Sequence, residues 1–259
     1  MKKGLKILLA TTAVLLFAAV LTLIHGSSAA DRHLVTCSGL DIQLPPEGHF
    51  VTESDIEEYL KDYYGSYIGE RIDSVDLARV EAALDSRSAI RKAEAWTTRD
   101  GMLHVSITQR KPVVRLQKDG VGLYADESGF LFPLQSSYSP MVPIVDGALP
   151  LNIGKGYKGE AAGDAEKEWL SGLLDLLAYM KRSKVWDENI SQITVQPGGD
   201  LVMYPRQGRE RFIFGSTGNA ESKFARIEEY YKHIKPSRDS AYYASVNVKY
   251  EGQIICRQK

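Results

Sequence analysis

The chain has 259 residues, 44% of them hydrophobic and 25% charged, a composition that can bury a core and excludes disorder over most of its length. Its 32 basic and 33 acidic side chains leave a net charge of -1, which gives no electrostatic footprint for nucleic acid. The two cysteines, Cys37 and Cys256, cannot by themselves build a zinc or iron–sulfur site.

Lys2, Lys3 and Lys6 precede an uncharged apolar run over residues 7–24. As a helix this run spans about 27 Å, close to the ~30 Å hydrocarbon core of a bilayer. The lysines place residues 1–6 in the cytoplasm and everything beyond the run outside. A transmembrane helix is therefore expected at residues 7–25. Ser28, Ala29 and Ala30 would also suit a cleavage site, but the run exceeds the roughly 7–15 residues of a signal-peptide apolar region. With or without cleavage, residues 31–259 are exported, carrying 29 basic and 33 acidic side chains and a net charge of -4. Cys37 and Cys256 could pair there only if the fold brings them together.

The exported part opens with a strand candidate at residues 34–44, stopped by Pro45 and Pro46. Thr52 or Ser54 caps a short helix with Ile56, Tyr59, Leu60 and Tyr63 at helical spacing. Asp73 or Ser74 opens a second helix bearing Leu77, Val80 and Leu84. Strands follow at 93–97 and 103–109, the latter with Leu103, Val105 and Ile107 alternating inward; Pro112 interrupts, and 113–117 continues as strand. Strand, two helices and strands over about 80 residues make an α+β unit. Beyond Gly120, turn residues punctuate short strands at 121–124, 130–133 and 142–145, and residues 147–163 read as a loop. A helix from Asp164 to about Lys184, strands at 190–195, 200–204 and 210–214, a helix from Asn219 to about Lys235 and two last strands at 242–250 and 253–256 complete the chain.

These segments converge on one family. The runs FVTESDIEEYL, VDLARVEAALDSRSAIRKAEAW and GMLHVSITQRKPVVRL, behind a basic tail and a single membrane anchor, resemble the POTRA domain of the bacterial division protein family FtsQ/DivIB. GLYADESGFLFPL is similar to the start of that family's β domain. YPRQGRERFIFG, NAESKFARIEEYYK and the ending YYASVNVKYEGQIIC resemble the Bacteroidetes type. The resemblance implies an α+β protein with a cytoplasmic tail at 1–6, a transmembrane helix at 7–25, a POTRA domain at 34–118 and a mixed β-sheet domain with flanking helices at 119–259. It also implies a non-enzymatic inner-membrane scaffold at the division septum, without cofactor, joining FtsB- and FtsL-like proteins and controlling septal peptidoglycan synthesis. The alternatives are a POTRA-type transport or assembly protein and a membrane-tethered periplasmic enzyme.

In the family, a partner strand docks on the terminal strand. That role falls here on Tyr242, Tyr243, Val246, Val248 and Tyr250, with Gln253 beside them. The alternation over 242–250 suits a sheet with one wet side, and a strand near the C-terminus often forms an edge with unpaired N–H and C=O groups. The same pattern also fits a plain structural strand. Arg110 and Lys111 are recruitment candidates on the POTRA side, although three adjacent charges and polar groups fit a solvated strand end equally well. Gly154, Gly156 and Gly159 match G-x-G-x-x-G without the strand and helix that a dinucleotide site needs. The five histidines lack metal-ligand spacing, and no G-x-S-x-G occurs.

Overall fold

The computed structural model describes residues 16–18, 20, 35–46, 50–237 and 242–258. The tail expected at 1–6 lies outside them, as does the span at 7–25 apart from residues 16–18 and 20, which are helical. No helix among the described residues is long and apolar enough to cross a membrane. The chain divides into two compact units between Gln109 and Arg110.

The first unit contains β1 (Gly39–Gln43), α1 (Glu53–Tyr63), α2 (Leu77–Asp85), β2 (Ile90–Thr97) and β3 (Met102–Gln109). Thr52 caps α1 through a reciprocal pair: Asp55 N–H donates to its hydroxyl, and its own N–H donates to the Asp55 carboxylate. Asp76, rather than the expected Asp73 or Ser74, caps α2 by accepting from Arg79 N–H at 3.0 Å. The sheet order is β1-β3-β2, with β1 parallel and β2 antiparallel to β3. Ile56 and Leu60 of α1 and Val80 and Leu84 of α2 are buried, as are Leu103, Val105 and Ile107 of β3. Gln109 closes this core with its amide: the oxygen accepts from the N–H groups of Phe50 and Val51, and the nitrogen donates to Val51 O. Beside β2, Ala93 N–H donates to Asp85 and Ala95 N–H to Glu81, so carboxylates of α2 take donors that a further strand would need.

The second unit is a nine-stranded mixed sheet with helices. Its elements are β4 (Pro112–Lys118), β5 (Val121–Asp126), β6 (Leu131–Pro133), β7 (Ile144–Gly147), α3 (Asp164–Arg182), α4 (Lys184–Asn189), β8 (Ile190–Val195), β9 (Leu201–Pro205), β10 (Arg211–Gly215), α5 (Ala220–Glu229), β11 (Tyr243–Asn247) and β12 (Ile255–Gln258). The sheet order is β12-β11-β10-β9-β8-β7-β4-β5-β6. The boundary expected after residue 118 is corrected by β4, which pairs with β5 and β7 and so belongs to this second sheet. Residues 154–158 form a loop, and Gly159 exchanges both backbone hydrogen bonds with Leu131 of β6.

Leu170, Leu173, Leu177 and Met180 of α3 and Phe224 and Ile227 of α5 share one buried cluster with the sheet, whose contributions include Leu116, Ile193, Phe212, Phe214 and Val246. Each such side chain contributes about 1.5–3 kcal/mol when fully buried. α5 runs on into a π-helical turn, Tyr230–Ile234, and a short 3-10 turn, Lys235–Ser237. Below it, the buried Glu210 carboxylate accepts from Lys235 Nζ at 2.7 Å and from Arg209 N–H at 3.0 Å. Burial alone would raise the pKa of Glu210, but these bonds outweigh it and hold the carboxyl below its ordinary value.

Two stability effects follow. Gln109→Leu strands two N–H groups and a carbonyl and should cost about 3 kcal/mol, read as a lowered unfolding midpoint and faster amide exchange at Val51. Because the folded pKa of Glu210 is depressed, its stabilisation is present above the ordinary carboxyl pKa and disappears as pH falls through the folded value. Glu210→Gln should therefore unfold at lower temperature than the parent at about pH 7, with the gap closing toward about pH 3.

Candidate protein-interaction site

β11 is not the edge strand that the sequence suggested for residues 242–250. It runs parallel to β10, with Val246 opposite Phe212, and antiparallel to β12, with Val246 opposite Cys256. The chain turns back through Glu251 and Gly252 (φ +66°), and the edge moves one strand outward, to β12. No described strand pairs with the outer side of β12.

The direction of the free groups follows from the ladder. Val248 N–H donates to Ile213 O at 3.0 Å, so Val246 and Val248 turn their backbone groups toward β10, and Ser245 and Asn247 turn theirs toward β12. In the facing pairs Ser245–Arg257 and Asn247–Ile255, the β12 members point back at β11. The backbone groups of Cys256 and Gln258 therefore point outward.

A bulge between Tyr243 and Ser245 shifts the side-chain alternation of β11. Strict alternation puts Tyr243 with Ser245 and Asn247; instead it packs against the core, its ring edge-on to Tyr230 at 6.2 Å. Val246 and Val248 are wholly buried, so their side chains hold the strand in place and cannot touch a partner. Tyr242 stacks edge-on against Tyr243 at 4.8 Å, and its hydroxyl accepts from Gln258 Nε2 at 2.5 Å. Tyr250 is half exposed and Gln253 exposed, both in the turn leading to β12. Ile255 (41% exposed) and the exposed Arg257 lie on β12 itself, and sequence reasoning did not single them out. The sequence predicts a strand here, at 253–256, but the edge role went to 242–250.

The turn is anchored. Arg226 Nε donates to Val248 O at 3.0 Å, and Lys249 Nζ meets both Asp200 oxygens at 2.8 Å. Lys249 crosses Gly215 (φ +80°) so closely that a Cβ there would stand 2.7 Å from it. Burial pushes the Cys256 thiol up, which keeps it uncharged at neutral pH. Both cysteines are free.

The recruitment candidates fare differently. Arg110 is not a solvated strand end: its side chain is 12% exposed, pairs with buried Asp126 at 2.8 Å and lies 3.5 Å over the Phe130 ring. Asp126 in turn accepts from the N–H groups of Ser128 and Phe130. The guanidinium is thus committed to holding the turn after β5, while Lys111 is exposed. In the first unit, His104 bridges Asp41 (2.8 Å) and Thr98 (2.9 Å) and stacks on Trp96. The hydrogen bond from His104 holds the Asp41 carboxyl below its usual range. No cluster of three His, Cys, Asp or Glu among the described residues could hold a metal.

Residues 111–257 match the family model for the FtsQ/DivIB C-terminal related domain, and residues 35–108 match that of a POTRA-like domain. No curated protein matches the chain. The two matched segments correspond to the two units of the fold, and the first of them covers more than half of the sequence; the chain belongs to the FtsQ/DivIB family of cell division proteins.

Proposed function

We propose that this chain is a single-pass scaffold of the division machinery, anchored by residues 7–25 in the inner membrane, with residues 1–6 in the cytoplasm and its two units in the periplasm at the septum. It works by protein contacts rather than catalysis. An FtsB- or FtsL-like protein adds a strand along β12, and through such contacts the scaffold controls septal peptidoglycan synthesis. The observation that carries this reading is that no described strand pairs with the outer side of β12, in a chain of this family. Cys256 and Gln258 supply the backbone groups, Ile255 and Arg257 face the incoming strand's side chains, and Tyr242, Tyr243, Tyr250 and Gln253 frame the approach. The apolar run and its lysines supply the membrane placement.

Depleting the protein from its native bacterium should give long, unseptated filaments that still replicate; cells of normal length would count against a division role. Complementation with Gln258→Pro addresses the edge. Proline removes an outward N–H without taking a donor from the β11–β12 ladder. The change should weaken partner binding about tenfold, the worth of one hydrogen bond, while the thermal midpoint falls only slightly, through loss of the exposed Gln258–Tyr242 bond. Deleting residues 255–259 should abolish binding; full affinity after that deletion would remove β12 from the interface.

A further inference from the structure

A second feature of the β domain lies away from β12. A cavity of about 950 Å³ opens between α4, the β9–β10 connection and the π-helical turn. Val185, Trp186, Ile190, Pro205 and Tyr231 give it apolar walls. Val185 is 53% exposed, unusual for a valine on a short helix whose neighbour Trp186 is only 3% exposed. The Trp186 ring lines the cavity and packs on Phe224 at 4.7 Å, which fixes that wall to the core.

The mouth is cationic. Arg209 and Lys232 stand on it with no ion pair among the described residues, and Lys235 is held in place by Glu210. Glu228 is the one acid on the described lining. With Lys235 neutralised by Glu210, Arg209 and Lys232 against Glu228 leave the mouth one positive charge in excess, a local exception in an exported region whose net charge is -4. Glu210 holds Lys235 in place, and Lys235 Nζ sits 4.7 Å above the Tyr231 ring. The polar wall is therefore preorganised before anything binds.

We infer that this cavity is a docking site for an acidic segment of a partner protein, one that inserts a large apolar side chain and sets a carboxylate between Arg209 and Lys232. The site shares no residue with β12, so it stands or falls independently of strand addition.

The test uses the full chain in lipid nanodiscs and three fluorescent peptides: acetyl-EELFEE-amide, acetyl-KKLFKK-amide and acetyl-EEAAEE-amide. The first should bind saturably, at least about tenfold tighter than the other two. The double change Arg209→Glu with Lys232→Glu touches only exposed side chains and should exchange the preference, so that the lysine peptide binds and the glutamate peptide does not. Val185→Asp should weaken the glutamate peptide by about tenfold. The indole N–H resonance absent from Trp186→Phe should shift when the glutamate peptide is added to the parent protein, because Trp186 lines the cavity. No saturable binding below about 1 mM, equal binding of acidic and basic peptides, or affinity unchanged by the double reversal would overturn the assignment. Binding retained after deletion of residues 255–259 is also expected; its loss would place the peptide at β12 instead.

Discussion

Every strand at the end of a sheet carries backbone donors and acceptors that must be paired, covered or left for another chain. This constraint organises both units. β2 gives N–H groups to Glu81 and Asp85 of the neighbouring helix. β6 is three residues long, ends at Pro133 and exchanges both bonds of Leu131 with Gly159. β12 has no comparable cover among the described residues, although everything behind it is fastened: Arg226 to Val248, Lys249 to Asp200, Val246 and Val248 to the core. An edge that is rigid and uncovered is preorganised for pairing, because little ordering entropy remains to be lost when a strand adds.

The same rigidity explains why side chains and backbone divide the work beyond β9. Buried aromatic rings, Phe212, Phe214, Phe224 and Tyr230, carry the packing. They fix β10 and β11, and β11 in turn positions the outward groups of β12. A change in the aromatic cluster should therefore disturb binding through stability, whereas a change at the outward groups of β12 acts on binding alone. The Glu210–Lys235 pair extends this logic to the cavity beneath the π-helical turn, where one buried carboxylate orients a lysine that lies over the Tyr231 ring.

Much of this was legible in the sequence because hydrophobic period and turn residues agree locally. The alternation of Leu103, Val105 and Ile107 matches a half-buried strand, and the α3 stripe of Leu173, Leu177 and Met180 matches a buried helix face. The errors have physical causes. Pro112 looked like a break within one sheet, but it begins the strand that founds the next. The bulge before Ser245 reversed the face of Tyr243, and no residue in the sequence announces it. Arg110 read as a surface charge because its partner Asp126 lies 16 residues away across a turn. The edge itself was misplaced by one strand because the last residues, Ile255 to Gln258, are too few to carry a period of their own. The cavity around Trp186 was invisible for a related reason: its lining comes from separated segments that no single window of sequence joins.

The most direct test of the account is amide hydrogen exchange on β12 with and without the proposed FtsB- or FtsL-like partner. In the free protein, the outward amides of Cys256 and Gln258 should exchange rapidly while those of Ile255 and Arg257, which face β11, exchange slowly. Adding the partner should protect Cys256 and Gln258 specifically. A complex that forms while those two amides remain unprotected would contradict strand addition at this edge.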